Sequence, residues 1–169
     1  MVRGWLMSEF EMAVGDLESA EKGTGARANG GKVRMDLIPL QITLRTVRRY
    51  LHSPQMTVLD HVAAFERGDD SGIYRAAHYL SPDDLREAAR VFEYGATKYA
   101  AWNWLKGMPW SVPLGCIGRH LLELPDDKPD VDSGYSHWGH IVCNIIMLRA
   151  YAEWYREGDD RPPKELFNE

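Results

Sequence analysis

Cysteine is scarce in this chain: Cys116 and Cys143 are the only two in 169 residues. Two cysteines cannot build a disulfide framework, so a reducing cytoplasm is the expected setting. Long apolar runs are missing, and no stretch reaches the ~20 residues a membrane helix needs. The opening 30 residues carry Glu9, Glu11, Asp16, Glu18 and Glu21 with no basic-then-apolar order, which excludes a signal peptide. Positive charge is not in surplus. Lys and Arg number 20 against 25 Asp and Glu, a formal net charge of −5. Such a chain is a poor general binder of duplex DNA, so no nucleic-acid partner is expected. A small anionic substrate stays compatible, because a bound cation reverses the local sign. A period-2 strand pattern with a hairpin turn is also missing, as is any internal repeat. What is present, 44% apolar and 27% charged residues, suits one globular domain.

Helical periodicity fills most of the chain. Residues 1–30 read as a flexible N-terminal segment, with a helical turn around Trp5 to Val14 and a glycine-rich linker from Gly23 to Gly31. An extended stretch from Lys32 leads to Pro39, after which Leu40, Leu44, Val47 and Leu51 recur at helical spacing. Ser53-Pro54 reads as its stop. A second helix is predicted from Thr57 to Arg67, and a short one around Ile73 to Tyr79. Ser81-Pro82-Asp83-Asp84 is a strong helix start: a capping hydroxyl, a proline for the first turn, and acids for the positive helix end. Leu85, Ala88, Ala89, Phe92 and Ala96 make its apolar stripe. After an aromatic loop from Trp102 to Trp110, a helix runs from Ser111 to Leu124, and a last one from Ser136 to Glu157. The tail from 159 to 169 reads as loose. The expected class is all-α, a small helical bundle.

The densest chemistry lies on the last two helices. His120 and Glu123 share one face, as do His137, His140 and Asn144 on the next helix. The loop between them holds Asp126, Asp127, Asp130 and Asp132. Antiparallel packing would bring imidazoles and carboxylates together, which is how bundles hold divalent metals. A competing pattern is a structural zinc on Cys116, His120, His140 and Cys143. Glu87 can extend the carboxylate set. Lys32, Arg34, Lys98, Lys106 and Arg119 are cations suited to phosphate. Trp102 and Trp104 can stack on a base with Asn103 reading its edge, or they can close the core.

These strings combine: Lys32-Val-Arg-Met-Asp-Leu-Ile-Pro39, Glu87-Ala-Ala-Arg-Val-Phe-Glu-Tyr-Gly-Ala-Thr-Lys-Tyr99, Asn103-Trp104, Lys106-Gly-Met-Pro-Trp110, Arg119-His120-Leu121, Asp132-Ser-Gly134 and His137-Trp-Gly-His140 with Asn144. Together they resemble the phage-borne dATP/dGTP diphosphohydrolases, whose members include the MazZ enzymes of phages that replace adenine with 2-aminoadenine. The resemblance covers residues 31–40 and about 81–152, leaving 41–80 as a helical insertion within an all-α nucleotide hydrolase domain of residues 31–158. More remotely the layout is similar to the MazG-like all-α pyrophosphohydrolases, whose pattern is EExxE, a spacer, then ExxD. Here Arg119-His120-x-x-Glu123 and His137-x-x-His140 occupy those elements, and only Glu123 stays acidic. The resemblance implies hydrolysis of dGTP or dATP to dNMP and pyrophosphate during phage DNA synthesis, in the cytoplasm of the infected host. It implies divalent ions, Mg2+ or Mn2+ first, with Co2+ or Zn2+ as alternatives. The nitrogen ligands of this chain favour Mn2+, Co2+ or Zn2+ over Mg2+. The metal set implied is His120, Glu123, His137, His140, Asp130 and Asp132. The catalytic set is Glu87, Glu123, Lys98 and Arg119. Substrate contacts are Lys32, Arg34, Lys98, Trp102, Asn103, Trp104 and Asn144. A homo-oligomer, dimer or tetramer, is expected, and no membrane partner. Two other functions stay open: a dNTP triphosphohydrolase of histidine-aspartate type, and a non-enzymatic helical module holding zinc.

Overall fold

A computed structural model describes residues 18–167 and, as backbone, the strand Met12–Val14. The helical turn expected around Trp5 to Val14 lies outside the described residues apart from that strand. Among the described residues six α-helices form the body: α1 Leu40–Val47, α2 Ser53–Glu66, α3 Ser71–His78, α4 Pro82–Tyr99, α5 Ser111–Glu123 and α6 His137–Trp154. The strand β1, Met12–Val14, pairs antiparallel with β2, Arg27–Ala28. The all-α class is therefore correct, with this short ribbon as an addition.

α6 is the axis of the molecule. Thirteen of its residues are buried, among them Ile141, Val142, Ile145, Leu148 and Tyr151, which is what an apolar pattern on every side demands. α4 and α5 pack on it, and α1, α2 and α3 close the far side around Leu44, Val58, Val62, Phe65 and Ile73. The segment from 41 to 80 is thus part of the core rather than an appendage. Helix starts follow local chemistry. Ser81 Oγ accepts from Asp84 N while the Asp84 carboxylate accepts from Ser81 N, a reciprocal cap. Ser136 caps α6 through Gly139 N at 2.9 Å.

Four local readings need correction. Ser53-Pro54 does not stop the first helix. It lies in the first turn of α2, where proline's missing N–H costs nothing. Leu85 is exposed and Val91 takes the core position on α4. The glycine-rich run is no free linker. Gly25 N donates to Gly107 O at 2.8 Å, Ala26 is buried, and a Cβ on Gly25 would meet the Gly107 carbonyl oxygen at 2.6 Å. The glycine permits that close approach. Nor is the tail loose. The Arg161 side chain is buried over Phe65 and Trp110, 4.3 and 4.9 Å from their ring centres, and donates to Phe65 O. Asp160 accepts from Ser111 N and Oγ at the start of α5.

Candidate metal and nucleotide site

α5 and α6 present their histidines to one another because they pack side by side, with the 124–136 loop folded back over their shared end. His120 and His140 rings stack at 4.3 Å and 9°. His120 Nδ1 lies 2.8 Å from His137 Nδ1, so one of the two rings donates to the other. The loop is closed by a tight turn in which Asp130 Oδ2 accepts from Ser133 N and Oγ at 2.9 and 2.8 Å. Ser133 Oγ also lies 2.7 Å from His140 Nε2, and Asp130 Oδ2 is 3.7 Å from the same nitrogen. Ligand atoms of His120, Asp130 and His140 all fall within 4.8 Å of one another.

The electrostatics suit a cation. Burial, then the neighbouring His120, pushes the His140 imidazole down to about 3. His137 is lowered for the same reasons. Both rings are therefore neutral near pH 7 and keep a lone pair for a ligand bond. Burial opposes the Asp130 carboxylate, yet the Ser133 donors and the adjacent imidazoles hold it below the ordinary range. The two imidazoles of His120 and His140 and an anionic oxygen at this spacing are compatible with a divalent metal. Neither cysteine joins this set, so the four-ligand Cys2His2 arrangement is not formed among the described residues. Burial pushes the Cys143 thiol up to about 12. Burial also opposes ionisation of Cys116, but the Arg27 guanidinium and His120 outweigh it and bring that thiol down to about 5.

Two cavities meet at the triad. The inner one, about 240 Å³, runs between α4, α6 and the 26–32 segment, and Phe92, Tyr99 and Trp104 give it aromatic walls. The outer one, about 620 Å³, opens between α5 and the acidic loop. Lys32, His120, Asp130 and Asp132 line both; His140 faces the inner cavity and His137 the outer.

The remaining residues singled out from the sequence divide clearly. Lys98 and Trp102 line the inner cavity, with Lys98 Nζ 4.8 Å from the Tyr94 ring and Trp102 70% exposed. Glu123 and Arg119 line the outer cavity, and Arg119 also ties down the 29–33 segment through Asn29 Oδ1 and Val33 O. Asp132 offers its backbone carbonyl to the Tyr94 hydroxyl at 3.0 Å. Four residues are engaged elsewhere. Glu87 lines neither cavity; its carboxylate accepts from Ser136 Oγ at the start of α6. Arg34 is turned to Asp36, at 2.6 Å, and lines neither cavity. Asn144 is fully buried, donates to His140 O, and leaves its Oδ1 without a partner among the described residues. Asn103 lies at the inner cavity, but both ends of its amide are occupied: Oδ1 accepts from Ala26 N at 3.1 Å and Nδ2 donates to Ala26 O at 2.8 Å. It acts as a strand would, pairing with the 26–28 backbone, and is not open to read a base. Trp104 packs against Phe92 at 4.9 Å while facing the cavity.

Two contributors were not singled out from sequence. Ser133 bridges Asp130 and His140. Arg27 reaches the inner cavity, where its guanidinium meets Cys116 Sγ at 2.8 Å and Met147 Sδ at 3.5 Å. The one available signal for Arg27 was a lone basic residue inside a glycine-rich run.

No curated protein and no solved structure matches this chain. A family match does exist, to "dATP/dGTP diphosphohydrolase, N-terminal", and it runs from residue 64 to residue 161. It starts near the end of α2, within the 41–80 segment, and ends at the buried Arg161. The match takes in α3 through α6, both histidine-bearing helices and the acidic loop. Because it spans more than half of the sequence, the chain belongs to the dATP/dGTP diphosphohydrolase N-terminal family.

Proposed function

We propose that this protein hydrolyses purine deoxynucleoside triphosphates, dGTP or dATP, between the α and β phosphates, releasing dNMP and pyrophosphate. The observation that carries the reading is the meeting of His120, Asp130 and His140 at the junction of two cavities, inside the region matched by the family. Those three residues would hold a divalent ion, with Mn2+ favoured by the two nitrogen donors and Mg2+, Co2+ or Zn2+ as alternatives. When bound, such an ion neutralises phosphate charge and lowers the pKa of a coordinated water.

The chain's own groups supply the rest. The aromatic walls of the inner cavity take the purine ring by stacking, with Trp104 fixed and Trp102 at the rim. Lys32, lining both cavities, and Lys98 and Arg119, one on each side, face the polyphosphate and stabilise charge on its oxygens. In the reaction a water oxygen bonds to the α phosphorus, the bond from that phosphorus to the bridging oxygen breaks, and pyrophosphate departs. The proton released by the water goes to a carboxylate. Glu123 in the outer cavity is the acceptor we assign, since Glu87 is engaged at the α6 cap. Asp132 is available as an additional ligand at the junction.

A role in shaping the nucleotide pool during phage DNA synthesis, in the host cytoplasm, follows from this reading. So does self-association, supported by Val33 and Leu37, each 71% exposed on the segment before α1. Among the described residues no helix is long and apolar enough to cross a membrane. The test is a panel of dNTPs and NTPs with Mg2+, Mn2+ and Co2+. Pyrophosphate release confined to purine deoxynucleotides is the expected result; no turnover with any metal would overturn it.

A further inference from the structure

Arg27 has an unusual set of partners. Its guanidinium carries five N–H donors and a permanent charge, and it lies on the inner cavity. The acceptors it meets among the described residues are two sulfurs, Cys116 Sγ at 2.8 Å and Met147 Sδ at 3.5 Å. Among the described residues no carboxylate pairs with it, although the chain has an acidic excess and another inward-turned arginine, Arg161, holds two. Two sulfur contacts use only part of a fork of five N–H donors that lies on the cavity. The position is built rather than accidental. Asn103 clamps the backbone of Ala26 from both sides, Tyr99 Oη accepts from Ala28 N at 2.6 Å, and β2 pairs with β1. Three independent contacts thus hold the residue before, the residue after and Arg27 itself.

The surroundings indicate what the free donors face. Cys116 is one helical turn before His120 on α5 and interacts with it, so a single sulfur separates Arg27 from the metal-compatible triad. Arg27 lines the inner cavity together with His120, Asp130 and His140. Its planar, forked donor has the geometry that suits phosphate best.

Resting on the function proposed above, we infer that Arg27 is a substrate-binding residue that takes phosphate oxygens on the inner side of the triad. Lys32, which lines both cavities, and Arg119 in the outer one would then receive the more distal phosphates.

Inorganic pyrophosphate is the probe, titrated calorimetrically into the full chain in magnesium buffer. Arg27→Met keeps the length of the stem and the contact with Met147 but removes the fork. The expected result is at least about tenfold weaker pyrophosphate binding, as for loss of a charge-assisted pair, by a variant that still unfolds cooperatively. A second measurement needs no variant that folds: the Nε–Hε resonance of Arg27 in wild-type protein should move on adding pyrophosphate. Wild-type protein that does not bind pyrophosphate, an Arg27→Met protein within threefold of wild type, or an Arg27 resonance that stays still would each overturn the inference. Neither experiment involves turnover. A protein that hydrolyses no dNTP yet shifts Arg27 with pyrophosphate would refute the proposed reaction and leave this site standing.

Discussion

Asn103→Ala tests how the site is assembled. The side chain is nearly buried, and its amide makes two hydrogen bonds to the Ala26 backbone, 77 positions away in sequence. Each bond contributes about 0.5–1.5 kcal/mol net, and each backbone group left buried without a partner costs about 1–3 kcal/mol. Water entering from the adjacent cavity would recover part of that, so a loss of about 2–4 kcal/mol is expected. For a chain of this size that corresponds to a melting temperature lower by roughly 5–15 °C. Because Ala26 precedes Arg27, pyrophosphate affinity should fall with stability. The ratio of kcat/KM for dGTP to that for dATP should not change, since the amide does not face the base. Differential scanning calorimetry and steady-state kinetics measure both. A melting temperature within about 2 °C of wild type, together with altered purine preference, would refute this reasoning and restore Asn103 as a base reader.

Buried Glu66 makes stability depend on pH. Its Oε2 accepts from Leu40 N at 2.6 Å, and burial raises its carboxyl from 4.5 to about 7. The folded state thus holds this proton more tightly than the unfolded chain, so the associated stability is complete below about pH 4.5 and is lost as pH rises through 7. Over that span the loss is at most about 3 kcal/mol. Glu66→Gln should flatten urea midpoints between pH 5 and pH 8 and stabilise the protein at pH 8; an unchanged pH profile would show that Glu66 titrates normally. Asp130→Asn keeps an acceptor for Ser133 but removes the anionic ligand, so the Mn2+ dissociation constant should rise at least about tenfold while the melting temperature falls little. Equal Mn2+ affinity by equilibrium dialysis would remove Asp130 from the metal set. Arg161→Ala should cost about 2–3 kcal/mol in a thermal melt, from lost contact with Phe65 and Trp110 and lost ion pairs; a change under about 0.5 kcal/mol would mean the tail is not pinned.

Much of the helix pattern was legible because it is local. The cap at Ser81 and Asp84 is complete within four residues, and the apolar surround of α6 is written in its own sequence. The histidine faces were legible for the same reason, since spacing on two helices defines them. What failed depended on distant partners. The run from Gly23 to Gly31 has linker composition, and only Gly107, Asn103 and Tyr99 reveal that it is clamped. Arg34 and Arg27 are equivalent by residue type; Asp36, two positions on, captures the first, while two distant sulfurs receive the second. Ser53-Pro54 obeys the rules for ending one helix and for starting the next, and the choice is made by how α2 packs.

The most direct test of the central claim is hydrolysis of dGTP in water enriched in oxygen-18 with Mn2+, followed by phosphorus NMR of the products. Attack at the α phosphorus predicts one labelled oxygen on dGMP and unlabelled pyrophosphate. Triphosphate with deoxyguanosine, or label in pyrophosphate or inorganic phosphate, would contradict it.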